Sequence, residues 1–598
     1  MPLDASGNYT PPSVSGYYPP DLFNLGAPEA KTGQRTLKGL YSVRVVDKLP
    51  EGDIIQWKVI VEDARGGLNL TQGHFDDDYD RVSSSDLDTR HYRTLILNQL
   101  TTNQSGSVTP TANFYGVHSA MFSSKLHIGV GSTANRALFA ETSTSDPTLA
   151  VVTYSPASAI THMGTISTGS AMANARLAIG HESNVVQLLD AAYATTAMHA
   201  DTAGCYGIIQ TFINNNQLLI YSGGSIRYLD SSVAVTTQPT VGISNVPSGG
   251  YALGIAQLSG TPARAYWVWP RVNNTLPLLL GSESPGRLIS TNLEGTDFQE
   301  IPLGLANVYW ACLVGGSAVV ASDRSRIVYY DGRSRPRDIN WISNREANGN
   351  FVYECRGLGQ NGQEIIIDVN RYASPNGGNQ AVTRWLEAYN LETNAVHQIS
   401  KAQTIAAAAA LNTSKRSVAM ARIPISEQTG FSQILRNESG TSTTSWDRMF
   451  IPVYGYNPFN LYRQTDSANA NTGNEYEATG TYTTPEFELP GLEGWPKMVS
   501  RIVMMGNVDT GGTASTAATQ TVTAGNLTAT FSTGLSGRAQ LQELVDAGDV
   551  IYKLQLSTTL ARTTANTRYT PQGFPIMIEG YAFIGNMEPP FGFNSDGR

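Results

Sequence analysis

Five arginines in one short stretch of the chain form a concentration of positive charge. Guanidinium groups bind phosphate or carboxylate in a bidentate geometry, so such a cluster can hold nucleic acid or an acidic glycan. Interspersed aspartates offer the alternative that these charges pair within one sheet at exposed turns, where each pair contributes little. We favour the ion pairs, and the cluster is still the first candidate for a partner-binding surface. The residues are Arg324, Arg326, Arg333, Arg335 and Arg337, with Asp323, Asp331 and Asp338 interspersed.

An acidic segment near the N-terminus raises the question of cation binding. Asp76, Asp78 and Asp80 alternate as they do at the start of a calcium-binding loop. However, Arg81 stands where that loop needs glycine, and Leu87 stands where it needs a bidentate glutamate. We therefore favour a solvated acidic loop and leave cation binding by Asp76–Asp80 open.

A short aromatic run has the alternation of a β-strand. Tyr266 and Val268 fall on one face, and Trp267 and Trp269 fall on the other. Exposed indoles at these two positions would bind sugar rings. Packing of both indoles between adjacent sheets is the favoured alternative.

Motifs that would indicate an enzyme are missing from the sequence. The eight histidines show no H-x-H or H-x-x-x-H spacing, and the chain has no G-x-S-x-G or Walker-type segment. The Asp-box of sialidase propellers (S-x-D-x-G-x-x-W) is also missing. Its nearest match, Asp323–Tyr330, lacks the glycine and the tryptophan. We therefore expect no catalytic residue, no cofactor and no metal site, and we expect a protein that is not an enzyme.

Composition indicates a β-rich protein with many turns. The chain has 598 residues, 57 glycines, only 15% charged residues and a net charge of −9. A net negative charge argues against a general nucleic-acid binder. The length indicates two to four domains.

The cysteines, the first residues and the apolar runs indicate in which cellular compartment the protein is expected. Cys205, Cys312 and Cys355 are odd in number and widely spaced, which favours buried thiols in a reducing cytoplasm. The first twenty residues lack a basic start and an apolar core, so no secretory signal is expected. No run of 18 apolar residues is present, so we expect no membrane-spanning segment.

These residues are set within a loose repeat. Between residues 113 and 452, groups of short apolar runs separated by Gly, Asn, Ser and Asp recur about every 40–55 residues, the period of propeller blades. This predicts an all-β protein with a β-propeller of six or seven blades. The predicted blades start near Ser119, His162, Tyr206, Tyr251, Val308, Phe351 and Thr404.

Two segments precede the repeat. Residues 1–35 are rich in proline and predict either an extended docking arm or a disordered tail. Such an arm would offer apolar anchors to a neighbouring subunit, namely Tyr17, Tyr18, Leu22 and Phe23. Residues 36–112 predict a β platform. It opens with a hairpin of Leu40–Val46 and Ile54–Val61, and it is placed to supply strands to the last blade.

Two segments follow the repeat. Residues 453–474 predict a linker, and residues 475–598 predict a C-terminal β-sandwich-like module. One short helix is expected at Ser536–Gly548, because Ser536 suits an N-cap and Leu541, Leu544 and Val545 share one helical face.

Three features of the sequence carry a resemblance. They are the segment Gly66–Leu70 (GGLNL) ahead of the repeat, a propeller without a blade motif, and Gly480–Gly491 (GTYTTPEFELPG) followed by Lys497–Val503 (KMVSRIV). Together they resemble propeller-bearing virion proteins of tailed bacteriophages, in particular the tail nozzle (tubular) proteins of short-tailed phages.

The resemblance implies a structural protein of a phage tail or neck, made in the host cytoplasm. It implies a ring of six identical subunits below the portal, through which double-stranded DNA passes without specific binding. The arm would clasp a neighbouring copy, and the propellers would dock portal, adaptor or tail fibre proteins. The alternative is a receptor- or glycan-binding tail or fibre protein, which the tryptophans and the arginines motivate. A polysaccharide-degrading propeller enzyme is the third and least favoured alternative.

Overall fold

The computed structural model describes separate segments between residues 54 and 583, and every regular element in them is a β-strand. The described residues are 54–61, 65, 67–68, 81–90, 95–98, 101–103, 117–123, 125–131, 136–141, 149–156, 158, 160–167, 175–181, 185–200, 205–211, 217–222, 224–230, 240–247, 250–270, 286–323, 325–333, 335–339, 341, 351–361, 364–373, 382–399, 403–405, 434–436, 445–447, 450–454, 459–464, 477–484, 486–489, 492, 494–504, 518–525, 527–532, 541–543, 550–562, 572–573 and 576–583.

The chain divides into two compact units that are each discontinuous in sequence. Unit 1 comprises Met1–Gln99, Ala395–Lys401 and Glu475–Arg598. Unit 2 comprises Leu100–Asn394 and Ala402–Asn474. This division differs from the predicted one, because the N-terminal platform up to Gln99 and the C-terminal module belong to the same unit.

The strands follow one another along the chain as follows. Six precede the repeat: β1 (Ile54–Val61), β2 (Gly67–Leu68), β3 (Arg81–Ser85), β4 (Leu87–Asp88), β5 (Leu95–Leu97) and β6 (Thr101–Asn103). The first sheet of unit 2 has β7 (Val117–Phe122), β8 (Lys125–Gly131), β9 (Arg136–Glu141) and β10 (Leu149–Val151). The second sheet has β11 (Ile160–Ser167), β12 (Ala175–His181), β13 (Val185–Leu189) and β14 (Thr195–Ala200).

Three further sheets repeat this order. The third sheet has β15 (Cys205–Thr211), β16 (Gln217–Ser222), β17 (Ser225–Asp230) and β18 (Thr240–Ser244). The fourth sheet has β19 (Tyr251–Ala256), β20 (Arg264–Pro270), β21 (Gly286–Thr291) and β22 (Phe298–Glu300). The fifth sheet has β23 (Trp310–Val314), β24 (Ala318–Ser322), β25 (Ile327–Tyr330) and β26 (Arg337–Ile339).

The remaining strands complete both units. They are β27 (Phe351–Asn361), β28 (Glu364–Ala373), β29 (Val382–Asn390), β30 (Val396–Gln398), β31 (Gln403–Ile405), β32 (Ile434–Arg436), β33 (Ser445–Asp447), β34 (Phe450–Tyr454), β35 (Phe459–Gln464), β36 (Thr479–Thr483), β37 (Lys497–Met504), β38 (Ala518–Ala524), β39 (Leu527–Ser532), β40 (Leu541–Glu543), β41 (Leu556–Arg562), β42 (Gln572–Gly573) and β43 (Ile576–Phe583). Strands β27, β28, β29 and β31 form the sixth sheet of unit 2, and β30 belongs to unit 1.

The successive sheets of unit 2 are the blades of a β-propeller. Strands within the first five sheets pair antiparallel in sequence order, and the first strand of each sheet packs against the first strand of the next. Because a blade is covered on both faces, its inner strands are buried along their whole length. All residues of β23 (WACLV) and β24 (AVVAS) are buried, and Ser322 is the only polar residue among them. The all-β propeller class predicted from the sequence is therefore confirmed.

The predicted start of the seventh blade is wrong, and so is part of the predicted linker. Thr404 lies in β31, which pairs with Val382–Arg384 of β29 and so extends the sixth sheet. Residues 459–464 form β35, which pairs with β34 on one side and with β6 on the other. The strand β6 precedes the repeat, so the platform does supply a strand to the last sheet of unit 2.

Unit 1 contains a sandwich of two larger sheets, whose strands come from both ends of the chain, and a small third sheet with the order β4-β5-β42. One sheet has the order β1-β43-β37-β40, and the other has the order β2-β3-β36-β41-β38-β39. A single apolar core contains Trp57 of β1, Ile502 of β37 and Leu560 of β41. The N-terminal strand β1 pairs with β43 over its whole length, from Ile54 to Val61.

The helix predicted at Ser536–Gly548 is wrong where the structure describes it. Leu541–Glu543 form β40, which pairs with Arg501–Val503 of β37. The other residues of that segment lie outside the described part of the chain. Pairing with a neighbouring strand overrides the helical spacing of the leucines, since helix propensity is a weak bias.

A polar cap recurs at the end of the third strand in several blades. The side-chain oxygen of an aspartate or asparagine accepts hydrogen bonds from backbone N–H groups a few residues later, at 2.7–3.0 Å. This cap fixes the turn that follows the third strand. The residues are Asp190, Asn292, Asp331 and Asn390. The sequence analysis missed the repeat because only one polar residue per blade carries it.

Candidate partner-binding surface

The arginine cluster lies on the fifth blade, around the outer strands β25 and β26. Two aspartates shape its turns. Asp323 accepts a hydrogen bond from the backbone N–H of Arg326 at 2.8 Å, and Asp331 accepts one from the backbone N–H of Arg333 at 2.9 Å. The aspartates therefore act locally and hold the loops that present the arginines.

The arginines of this cluster make different contacts. Arg326 donates to both carboxylate oxygens of Asp338, at 2.9 and 3.0 Å, and both side chains are about half exposed. This contact is the ion pair within one sheet that the sequence analysis favoured. Arg333 donates from Nε to the hydroxyl of Ser259 in the fourth blade. Arg337 places its Cζ 5.3 Å from the ring centre of Tyr329, a cation–π contact.

What remains available to a partner is a small set of guanidinium groups. Arg333, Arg335 and Arg337 are exposed, and Arg324 lies outside the described residues. Because Arg337 is braced on Tyr329, its planar group is held in place. Such an arrangement suits a carboxylate or a phosphate. The role of these arginines in partner binding stays a prediction.

The two tryptophans offered as a sugar-binding face are buried. Trp267 is 0% exposed and Trp269 is 1% exposed. Trp267 donates from Nε1 to Thr291 at 2.9 Å and packs edge-on against Tyr221 of the third blade. Both indoles therefore fill the space between blades. The prediction that they contact a partner directly is wrong, because neither indole is accessible.

Other candidate residues fall outside the described part of the chain. These are the arm residues Tyr17, Tyr18, Leu22 and Phe23 and the acidic segment Asp76–Asp80. Just after that segment, Leu87 is buried in the core of unit 1, and Asp88 forms a bidentate pair with Arg90 at 2.7 and 2.9 Å. Among the residues that the structure describes, no group of three His, Cys, Asp or Glu side chains is placed to hold a metal ion. No helix in the same residues could cross a membrane.

Buried histidines in the first two blades are the feature that sequence reasoning missed. Burial lowers the pKa of His127 to about 4, and it lowers the pKa of His162 to about 4 as well. In both cases loss of hydration is the largest cause, because a charged imidazole is disfavoured in an apolar interior. Isolated histidines carry no spacing signal, so the sequence showed nothing of this.

The comparisons with known proteins find only remote similarity. No family model matches the chain, and no curated protein matches it. Among solved structures, the Dos1 propeller is 12% identical, with 63% of this chain and 96% of that chain covered and a TM-score of 0.34. The WD40 repeats of RRP9 are 9% identical, with 52% and 86% covered and a TM-score of 0.33. Raptor from Chaetomium thermophilum is 11% identical, with 62% and 30% covered and a TM-score of 0.33.

The strand pairing makes the chain a β-propeller protein with a second, sandwich-like unit. Propellers serve enzymes, receptors and scaffolds alike, so the fold alone does not assign a function.

Proposed function

We propose that the chain is a structural component of a tailed-phage virion, located in the tail or neck. One observation carries the proposal: the segments that resemble tail nozzle proteins lie in the same folded unit. The GGLNL segment contributes β2, which shares a sheet with β36 of the GTYTTPEFELPG segment through β3. The KMVSRIV segment is β37, in the companion sheet of that sandwich.

The described contacts tie these segments into one core. Phe487 and Leu489 of the second segment and Ile502 of the third are at most 3% exposed and belong to the same apolar cluster. Phe487 pairs with Leu554 through reciprocal backbone hydrogen bonds of 2.9 and 2.8 Å. Segments distant in sequence therefore build one module.

A buried lysine anchors the third segment. Lys497 is 0% exposed, and its Nζ donates to the carbonyl oxygens of Trp495 and Tyr552 at 2.9 and 2.8 Å. Its backbone also pairs with Ile551. The lysine at the start of KMVSRIV is thus structural.

In this role the protein acts by assembly and without chemistry. Copies of the chain form a ring, six by the resemblance, and portal or adaptor proteins and tail fibres bind to it. The net charge of −9 favours passage of double-stranded DNA, because a weakly charged acidic wall repels phosphates. The blades serve as docking surfaces.

The test is the assembly state of the purified full chain. We expect a ring with about six subunits in mass photometry and negative-stain images. A variant that lacks residues 1–35 should keep its circular dichroism spectrum and lose the ring, because the arm is proposed to clasp a neighbour. A strictly monomeric protein that binds neither portal nor fibre proteins would contradict the proposal.

A receptor- or glycan-binding tail protein is the second candidate, and the exposed Arg333, Arg335 and Arg337 favour it. The tryptophans no longer support it. Binding to sialylated or sulfated glycans that is lost in R335A/R337A and kept in the control Arg176→Ala would favour this candidate over the ring.

A further inference from the structure

Three histidines of the first two blades make contacts between neighbouring blades or with the segment that connects them. His127, His162 and His181 are 1%, 4% and 0% exposed. The hydrogen-bond partners that the structure describes for His127 and His181 are hydroxyl groups, an amide oxygen and carbonyl oxygens. A positive charge on His127 or His162 would have to be carried at a buried site.

The first contact joins blades one and two. His127 is in β8, and its Nε2 lies 3.0 Å from the hydroxyl of Tyr193, which is in the turn between β13 and β14. The Nδ1 atom lies 3.0 Å from the carbonyl oxygen of Lys125. The aromatic ring of Phe122 covers the imidazole at a centroid distance of 5.6 Å.

The second contact holds the connection between the same two blades. His181 ends β12, and its Nδ1 lies 3.1 Å from the carbonyl oxygen of Ser158. Its Nε2 lies 3.0 Å from the hydroxyl of Tyr154 and 2.9 Å from Oε1 of Gln187. Tyr154 and Ser158 belong to the segment that connects β10 of the first blade to β11 of the second. The imidazole of His181 therefore holds this connecting segment in place.

The third contact joins blades two and three. His162 of β11 hydrogen-bonds the backbone of Ile208 in β15. It also lies opposite Gly180 in the pairing of β11 with β12. A Cβ at Gly180 would fall 2.8 Å from the Sγ of Cys205. The thiol of Cys205 therefore packs directly against β12, at the residue that is paired with His162.

Burial of His127 and His162 opposes protonation of their rings, because a charged imidazole is disfavoured in an apolar interior. A protonated His127 faces Lys125, whose charge already lowers the pKa of the ring. Other titratable side chains near these sites are Tyr193 at His127, Tyr154 at His181 and Cys205, whose thiol packs against Gly180, the residue paired with His162. None of these groups supplies a carboxylate that would stabilise the imidazolium.

We propose that the first three blades form an acid-sensitive seam, in which protonation of His127 and His162 loosens the contacts between neighbouring blades and exposes Cys205. The later blades remain packed. The seam is then a conformational device that responds to acidification.

The reactivity of the three cysteine thiols measures the opening of three different blades separately. Cys205, Cys312 and Cys355 are all buried, and they belong to the third, fifth and sixth blades. The full-length protein is pulsed with 4,4′-dithiodipyridine, and each cysteine is quantified by peptide mass spectrometry at about pH 7.5 and about pH 4.5, a range that spans imidazole titration. Rates are normalised to a model thiol peptide at the same pH.

The expected result is a rise of roughly ten-fold or more in the labelling of Cys205 at the lower pH, with Cys312 and Cys355 unchanged, because local opening needs less free energy than global unfolding. Equal labelling of all three cysteines would overturn the proposal, since it would indicate global unfolding. Unchanged protection of Cys205 would overturn it as well.

Two variants test the cause. His162→Gln stays neutral at both pH values and keeps a donor for the Ile208 carbonyl, so it should suppress the acid response of Cys205. His397→Gln is the matched control, because His397 is buried in unit 1 and lies 2.8 Å from the hydroxyl of Thr89. This control should leave the response intact.

If His162→Gln fails to fold, hydrogen exchange of the unmodified protein decides. Amides of β7 and β11 should lose protection at the lower pH while those of β23 and β24 keep theirs, after correction for the intrinsic exchange rate. Equal loss of protection in all four strands would overturn the proposal.

Discussion

The imidazole Nε2 of His127 lies 3.0 Å from the hydroxyl oxygen of Tyr193, and these two side chains come from neighbouring blades. Tyr193 holds a left-handed backbone conformation with φ of 63°. A residue in a turn is thus tied to a strand of the preceding blade by one hydrogen bond.

Removal of that hydroxyl should destabilise unit 2. Tyr193→Phe leaves a nitrogen of a buried imidazole without this partner, which costs about 1–3 kcal/mol. Urea denaturation measures the change, and Tyr228→Phe, at a half-buried tyrosine of the third blade, is the control. Equal stability of the two variants would show that the contact contributes nothing.

Stability should depend on pH between about 6.5 and 4. The pKa values of His127 and His162 are lowered in the folded state from 6.5 to about 4, so below pH 6.5 the unfolded chain binds more protons than the folded one. The stabilisation is fully present above pH 6.5 and is lost as the pH falls towards 4. Each histidine accounts for up to about 3 kcal/mol. Urea midpoints that stay constant from pH 7.5 to 4.5 would refute this expectation.

The buried indole of Trp267 should be among the costliest side chains to remove. It is 0% exposed and is hydrogen-bonded to Thr291, so Trp267→Ala should destabilise unit 2 by about 3–5 kcal/mol. Phe298→Ala provides the comparison, because Phe298 is 49% exposed and its loss should cost well under half as much. Similar urea midpoints for the two variants would contradict the burial of Trp267.

Gly580 should not tolerate a methyl group. A Cβ there would lie 2.1 Å from the carbonyl oxygen of Met498 and 2.3 Å from a ring carbon of Trp57. Gly580→Ala should therefore destabilise unit 1 by about 1–3 kcal/mol. Gly164→Ala is the control, since its nearest neighbour would be 4.0 Å away. Thermal unfolding of both variants measures the difference, and a wild-type melting temperature for Gly580→Ala would be inconsistent with this packing.

Two arginine–aspartate contacts described in unit 2 should differ in their contribution to stability. Arg264 is 8% exposed and donates to Asp297 and to both oxygens of Ser290, so Arg264→Ala should cost about 1–3 kcal/mol. Arg326→Ala should cost less than about 1 kcal/mol, because the Arg326–Asp338 pair is largely solvated. Chemical denaturation in low and high salt distinguishes them, since only the exposed pair is strongly screened.

Six of the seven predicted blade starts agree with the first strands of the blades, because alternation of apolar side chains is a local property. The run Tyr266–Trp269 shows this best. Tyr266 and Val268 enter one apolar cluster, and Trp267 and Trp269 enter another, as their spacing predicts. Of the proposed surface, the arginine positions were predictable, but their contacts with Ser259, Tyr329 and Asp338 were not.

The sequence by itself determined the strand-forming runs, the propeller class and the alternation of faces, since each depends on residues close together in the chain. Only the tertiary structure decided which strands pair. Strand β1 pairs with β43, β6 pairs with β35, and Leu541–Glu543 form a strand although their spacing suits a helix. Pairing depends on which edges the folded chain brings together, and a local pattern contains no information about a partner hundreds of residues away. The same reason explains why the sequence left open whether Trp267 and Trp269 bind sugar rings or pack between blades, and the fold buries both.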